Sequence, residues 1–297
     1  MITVPRIGLV LHPRRDPGAA AQRIVSWAHS HGVSVLVDEK DLARCPDGVR
    51  GVPAAAFPDE VDAVVSLGGD GTMLGALRLV ARRRLPVLGV NLGRLGFLVE
   101  VEPDELDAAL DRLESGDFTI EDHSAAVLSD GHEELVAFND VALARVPGDS
   151  PVHARLAVAG RASGHYRCDA LILATPLGST AYSYAAGGPL VSPALEAMVV
   201  SVAAPMAGIA RPMVVSATEP LRLTLFEDAG RPALEVDGTV LRRAEPGETL
   251  DVSLRPEAGR VVRLDPERYI QRGQLKLSLL DLPFLPDELR ELVPRRG

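Results

Sequence analysis

The chain has 297 residues, enough for one large domain or, more naturally, two, and its 46% hydrophobic and 24% charged residues describe a folded globular protein rather than a disordered one. A formal net charge of -10 argues against a nucleic-acid partner held by broad phosphate neutralisation, and a site for an anionic substrate must then bring its own cations, backbone donors or a divalent metal. The two cysteines, Cys45 and Cys168, are too few for a disulfide scaffold and lack metal-ligand spacing, so a cytoplasmic protein is expected, and one without a membrane span, because the longest nearly apolar stretch (197–210) is short and contains Pro205.

In chain order, the first element is a strand over 7–11, too short an apolar run for a signal peptide, which stops at His12 and Pro13. His12, Arg14 and Arg15 after it could meet a phosphate at the strand's C-terminal end, but a solvated loop is the expectation. A helix over 19–30, strands over 33–37 and 63–67, a helix over 73–84 and a strand over 87–90 follow, the alternation of a parallel sheet covered by helices. Arg82, Arg83 and Arg84 read as a solvated helix end. Residues 103–115 give an amphipathic helix with Pro103 in its first turn and Gly116 just past its end.

Beyond Phe118 the pattern changes to strands. Asp130-Gly131 reads as a tight turn between strands over 125–128 and 134–137, and further strands are expected over 154–159, 170–174, 213–216, 221–226, 233–236, 250–254 and 261–264. The chain therefore divides into an α/β domain (1–118), an all-β domain (119–270) and a C-terminal segment (271–297) with a short helix after Pro286 that returns to the first domain.

Two constellations carry chemistry. In VDAVVSLGGDGTMLGALRLV (61–80), Gly68 and Gly69 end a buried strand and let the backbone approach a ligand, and the helix that begins near Thr72 or Met73 turns its N-terminal amides toward an anion. Asp70 would repel a phosphate there unless it holds a metal or accepts a proton from an attacking hydroxyl, which points to phosphoryl transfer rather than passive binding. The pentad is neither a Walker loop nor GxGxxG, and a plain Gly-Asp-Gly turn is the bland alternative. In DALILATPLGSTAYSYAAGGP (169–189), a strand meets a polar turn and a short helix ended by Gly187 and Gly188. Three of the four tyrosines, Tyr166, Tyr182 and Tyr184, fall in or near it. Asp169, Ser179 and Thr180 could read the edge of a base while a tyrosine packs on its face; a capped helix with tyrosines in the core fits the residues equally well.

These residues resemble the NAD kinases of the bacterial ATP- or polyphosphate-dependent type: GGDGT at 68–72, VNLGRLGFL at 90–98, FND at 138–140, TPLGSTAY at 175–182, AGGP at 186–189 and DG at 237–238. The resemblance implies a Rossmann-like N-terminal domain, a β-sandwich-like C-terminal domain, a cleft site, and homodimers or homotetramers whose subunits complete each other's sites. It implies transfer of the ATP γ-phosphoryl group, with Mg²⁺, to the 2'-hydroxyl of the adenosine ribose of NAD. On this reading Asp70 is the catalytic carboxylate. Gly68, Gly69, Gly71 and Thr72 take the phosphates, and Asn139, Asp140, Asp169, Ser179, Thr180, Ala181 and Tyr182 contact the dinucleotide. No side-chain set is assigned to a structural metal. Departures from the family pattern gather on the acceptor side: Asp140 for Glu, Leu177 for Thr, Ala170 for Gly, the segment Pro205 to Gly208, and His123 for an Arg. A kinase of the same superfold with another nucleotide, sugar or lipid acceptor, and a non-catalytic NAD(P)-binding paralog, are the alternatives. Asp237 has the residue type for a second functional carboxylate, but Asp-Gly is also a hairpin turn, and we leave it outside the catalytic set.

Overall fold

The structure is a computed structural model that describes residues 4–93, 96–129 and 134–267. The first part alternates strands and helices: β1 (Arg6–Leu11), α1 (Gly18–His31), β2 (Ser34–Asp38), β3 (Val49–Val52), α2 (Phe57–Glu60), β4 (Ala63–Gly68), α3 (Asp70–Val80), β5 (Pro86–Asn91) and α4 (Leu106–Ser115). The five strands are parallel in the order β3-β2-β1-β4-β5. Every residue of β4 and β5 is buried, as both faces of a central parallel strand must be. On one face Ile24 and Trp27 of α1 pack with Leu106 and Leu110 of α4, and on the other Met73 and Leu77 of α3 pack with Phe57.

The second part is β-rich: β6 (Thr119–Ser129), β7 (Glu134–Ala137), β8 (Asp140–Ala144), β9 (Val152–Val158), β10 (Arg161–Cys168), β11 (Ala170–Ala174), α5 (Tyr182–Ala185), β12 (Ala197–Ala203), β13 (Ala207–Gly208), β14 (Met213–Ser216), β15 (Leu221–Leu225), β16 (Ala233–Val236), β17 (Thr239–Arg243) and β18 (Thr249–Arg263). A six-stranded antiparallel sheet, β14-β12-β11-β8-β16-β17, packs against a second sheet containing β9, β15 and β18. Leu171 and Leu173 point into the shared core with Leu156, Leu223 and Val252, while Ile172 and Ala174 alternate to the other face, where Tyr182 covers them. The end of β18 runs parallel to β5, pairing Arg260 with Pro86 and Val261 with Val87, so one sheet passes continuously from the α/β part into the β part.

Several elements differ from the sequence pattern. Helix α3 begins at Asp70, because the Gly69 carbonyl already accepts from the Thr72 and Met73 amides, and the apolar period starts later only because the first turn faces a cavity. It ends at Val80, where a turn carries Arg84 to φ 49° and leaves Arg82, Arg83 and Arg84 in exposed ion pairs with Asp59, Asp122 and Glu257. The strands over 250–254 and 261–264 are two halves of β18, joined through an irregularity between Arg255 and Gly259. The periodicity does not show β3, β8, β10, β12 or β17; β17, for example, is an exposed edge strand without alternation. The turn at Asp130-Gly131 and the segment 271–297 lie outside the described residues.

Candidate active site

The strand order reverses between β1 and β4, with β2 and β3 added on one side and β5 on the other, and open parallel sheets bind ligands at such a point beyond the strand C-termini. Here the His12 amide donates to the Leu67 carbonyl at 2.9 Å, which sets the turn after β1 beside the glycine loop after β4. Between them lies a cavity of about 540 Å³, walled by His12, Pro13 and Arg15 on one side and by Gly69, Asp70, Gly71 and Thr72 on the other, with Arg78, Gly96, Asp237 and Thr239 around it. At Gly69 and Gly71 a Cβ would meet no protein atom within 4 Å, so the loop presents bare backbone to this space. Gly68 has a different task. A Cβ there would lie 2.1 Å from Thr72 Oγ1, so the missing Cβ lets the first turn of α3 fold back on β4.

Asp70 belongs also to a second cavity, of about 180 Å³, lined by Phe97, Leu98, Asn139, Leu177, Thr180 and Ala181. Its two carboxylate oxygens accept from the Phe97 amide at 2.7 Å and the Leu98 amide at 2.9 Å, which fix the group at the junction of the two spaces. Gly96 makes this possible, because a Cβ there would fall 2.1 Å from Asp70 Oδ1. The Leu98 carbonyl in turn accepts from the buried guanidinium of Arg263 at 2.8 Å, and Arg263 is paired with Glu121 at 2.5 Å. Burial pushes the Glu121 carboxyl up, but the His123 ring 3.6 Å away and the charge and hydrogen bond of Arg263 outweigh it and hold it at about 2.

The smaller cavity is shaped by a buried carboxylate. Asp237 stands at φ 48° in the two-residue turn between β16 and β17, with no exposed side-chain surface, and accepts from the amides of Phe138, Asn139 and Asp140 at 3.2, 2.6 and 3.2 Å. It is therefore a hairpin residue that anchors the Asn139 segment. From the other side Thr175 donates its amide to the Asn139 carbonyl at 2.8 Å and its hydroxyl to the Phe138 carbonyl at 2.5 Å, and Gly178 leaves room for the Asn139 carbonyl, whose oxygen lies 1.9 Å from where a Cβ would stand.

The remaining candidates separate. Asn139, Thr180 and Ala181 line the smaller cavity with Asp70, while Asp140 is buried behind Asn139. Burial, then the charges of Asp237 and Glu235, push the Asp140 carboxyl up to about 7. Ser179 is fully buried and its hydroxyl is spent on the Pro176 carbonyl and the Val191 amide. Tyr182 packs on the sheet, and Tyr166 is a core residue between the two sheets, so the three tyrosines do not form one surface. Asp169 pairs with Arg145 at 3.0 Å just before β11, whereas Thr175 follows it; a five-residue strand spans about 16 Å, so Asp169 stands well away from the Asn139 cavity in its own chain.

The loop after β1 is solvent-exposed over 13–16, as expected, and its His12, Pro13 and Arg15 also wall the larger cavity, while Arg78, Phe97 and Leu98 carry no local sign of their place beside Asp70. The glycines of VNLGRLGFL were the available signal: Gly93 and Gly96 each leave room for a charged side chain from elsewhere. Across the described residues no three His, Cys, Asp or Glu side chains gather as a metal cage.

Comparison with known proteins agrees with this geometry. Residues 7–118 match the family model of the ATP-NAD kinase N-terminal domain and residues 138–264 that of the ATP-NAD kinase C-terminal domain. The chain is 34% identical to NAD kinase 1 of Streptomyces coelicolor, over 95% of this chain and 88% of that protein. It is 36% identical to the NAD kinase of Heliobacterium modesticaldum, over 90% and 96%. In fold it is similar to a yeast NADH kinase complexed with NADH, with a TM-score of 0.79 at 23% identity over 96% of this chain and 90% of that one. It is also similar to an NAD kinase from Archaeoglobus fulgidus in complex with ATP, with a TM-score of 0.70 at 25% identity over 93% and 98%.

Proposed function

Because this chain belongs to the NAD kinase family and phosphorylates NAD to NADP, we propose that Asp70 is the group through which it does so, with the acceptor ribose in the smaller cavity and the phosphoryl donor in the larger. The observation that carries this is the position of Asp70 on the wall of both spaces, where its carboxylate accepts from the Phe97 and Leu98 amides. At the junction of the two spaces the Asp70 carboxylate accepts the proton of the 2'-hydroxyl as that oxygen attacks the γ-phosphorus and the bond to the donor's bridging oxygen breaks. The bare backbone at Gly69 and Gly71 and the first amides of α3 take the transferred phosphoryl oxygens, so most of the work is positioning.

Magnesium fits this site as an ion that arrives on the donor's phosphates, since Mg²⁺ commonly takes one or two carboxylates plus phosphate oxygens; of the two carboxylates on the cavity wall Asp237 is engaged by Arg78 and three amides, and Asp70 is the one that would hold it. When bound, it neutralises phosphate charge. Asn139, Thr180 and Ala181 orient the acceptor, and Asp140, Ser179 and Tyr182 support them from behind. The distance of Asp169 from this cavity supports a homo-oligomer in which it serves a neighbouring subunit, as do the exposed side chains of Leu190, Leu195, Met206 and Val214 around β12. Both cysteines are unpaired thiols and no helix among the described residues is long and apolar enough to cross a membrane, which supports a cytoplasmic setting.

The test is NADP formation from NAD, ATP and Mg²⁺ by the parent and by Asp70→Asn, with folding matched by circular dichroism. Turnover in the parent that drops by roughly 10²–10⁴-fold in the variant is expected for loss of a general base. A folded parent that makes no NADP, or a variant within a few-fold of it, would overturn the assignment.

A further inference from the structure

The turn after β1 is built as carefully as the glycine loop it faces. Nδ1 of His12 accepts from the amides of Arg14 at 3.1 Å and Arg15 at 3.0 Å, so this nitrogen carries a lone pair and Nε2 carries the ring proton. Burial, then the charges of Arg15, Arg14 and Arg44, lower the ring's tendency to take a second proton. The Arg44 guanidinium, tied to Asp41 at 2.9 Å, donates to the His12 and Arg15 carbonyls at 2.7 and 2.9 Å and braces the turn from below. The Arg15 guanidinium crosses to the Leu92 carbonyl at 2.5 Å and lies where a Cβ on Gly93 would be, 1.6 Å from its Nη1. In a chain of net charge -10, a neutral donor and a placed guanidinium thus stand on the cavity wall opposite Asp70.

In-line phosphoryl transfer puts the attacking and leaving oxygens on opposite sides of the transferred group. With the acceptor in the smaller cavity, the leaving group extends into the larger one, toward its far wall. We infer that His12 and Arg15 bind the non-transferred phosphates of the donor, His12 through Nε2–H and Arg15 through its guanidinium, with Gly93 and Arg44 as the positioning residues that hold them there. The chemistry recognised is a polyphosphate chain, which ATP and inorganic polyphosphate share. This rests on the assignment of the larger cavity to the donor.

The experiment measures KM for ATP at saturating NAD, KM for NAD at saturating ATP, and thermal stability, for the parent, Arg15→Met, Gly93→Ala, the double variant and His12→Asn. Asn keeps an acceptor where His12 Nδ1 stands but removes the Nε2–H donor. Arg15→Met and Gly93→Ala should each lower kcat/KM for ATP at least 10-fold with the NAD KM within twofold, and His12→Asn should lower it several-fold in a folded protein. In the double variant the Gly93→Ala effect should vanish, because its added methyl acts by displacing the guanidinium. An unchanged ATP parameter, a rise confined to the NAD KM, or full additivity of the pair would overturn the inference. Inorganic tripolyphosphate as a competitor of ATP separates the two donor sources: inhibition weakened by the same variants places the phosphate chain itself at this turn, and inhibition equal in all variants refutes it. If the parent makes no NADP, the function falls by itself, and equilibrium binding of ATP to the same variants still decides the role of the turn.

Discussion

Arg78 on α3 and Asp237 in the β16–β17 turn are 159 residues apart in the chain and meet at 2.6 Å. The pair ties the helix that carries Asp70 to the segment that carries Asn139, since Asp237 also holds the three amides from Phe138 to Asp140. Asn tolerates the left-handed backbone of Asp237, so Asp237→Asn removes the charge without a conformational conflict. It loses an acceptor oxygen for buried amides and should cost about 1–3 kcal/mol by denaturant unfolding. The NAD KM should rise about 10-fold, the size of losing one good positioning contact. An unchanged NAD KM in a folded variant would detach this pair from the acceptor site.

Gly96→Ala should damage turnover more than folding. The new methyl would stand 2.1 Å from Asp70 Oδ1, so the carboxylate must leave the Phe97 and Leu98 amides or the loop must retreat from it. A misplacement of about 1 Å is worth roughly 10²-fold in rate, and kcat should fall by that order while the circular dichroism spectrum is kept.

Asp140 should make the protein less stable at alkaline pH. Its carboxyl is raised to about 7 in the folded state and has an ordinary acid value unfolded, so the native state favours the proton. The destabilisation is absent below about pH 4, grows as pH rises, and is complete above about pH 7. Asp140→Asn should therefore raise Tm at pH 8 relative to the parent and narrow the difference between pH 6 and pH 8. A parent and variant with parallel pH profiles would show that Asp140 ionises without cost.

Glu121 acts in the opposite direction. Its folded carboxyl is held at about 2, so it adds stability above its ordinary value near 4.5 that is lost as pH falls from there toward 2. Glu121→Gln should unfold at a higher pH on acid titration followed by tryptophan fluorescence. Arg263→Met, which leaves the half-buried Glu121 without its guanidinium and the Leu98 carbonyl without its donor, should cost about 3 kcal/mol at neutral pH, the low end for a broken buried pair.

The glycine loop, the parallel strands around it and Asp70 were legible in the sequence because they are local. A buried apolar run, two glycines, one acid and a helix follow one another within a few residues, and each is dictated by backbone sterics or by burial. The helices over 18–31 and 106–115 show the same local logic, each ended by a glycine, Gly32 or Gly116, in the left-handed conformation. The resemblance to a known family added the identity of the acceptor side, where residue types alone left two readings open.

What the sequence by itself determined is the set of elements and the chemistry of the loop after β4. Only the tertiary structure decided which distant side chains meet there. Arg15 reaches Leu92, Asp70 reaches Phe97 and Arg78 reaches Asp237 because strand order and sheet packing bring their carriers together, and no spacing along the chain encodes those distances. The same is true of Gly93 and Gly96: the need for a missing Cβ exists only once the Arg15 guanidinium and the Asp70 carboxylate arrive to fill its volume.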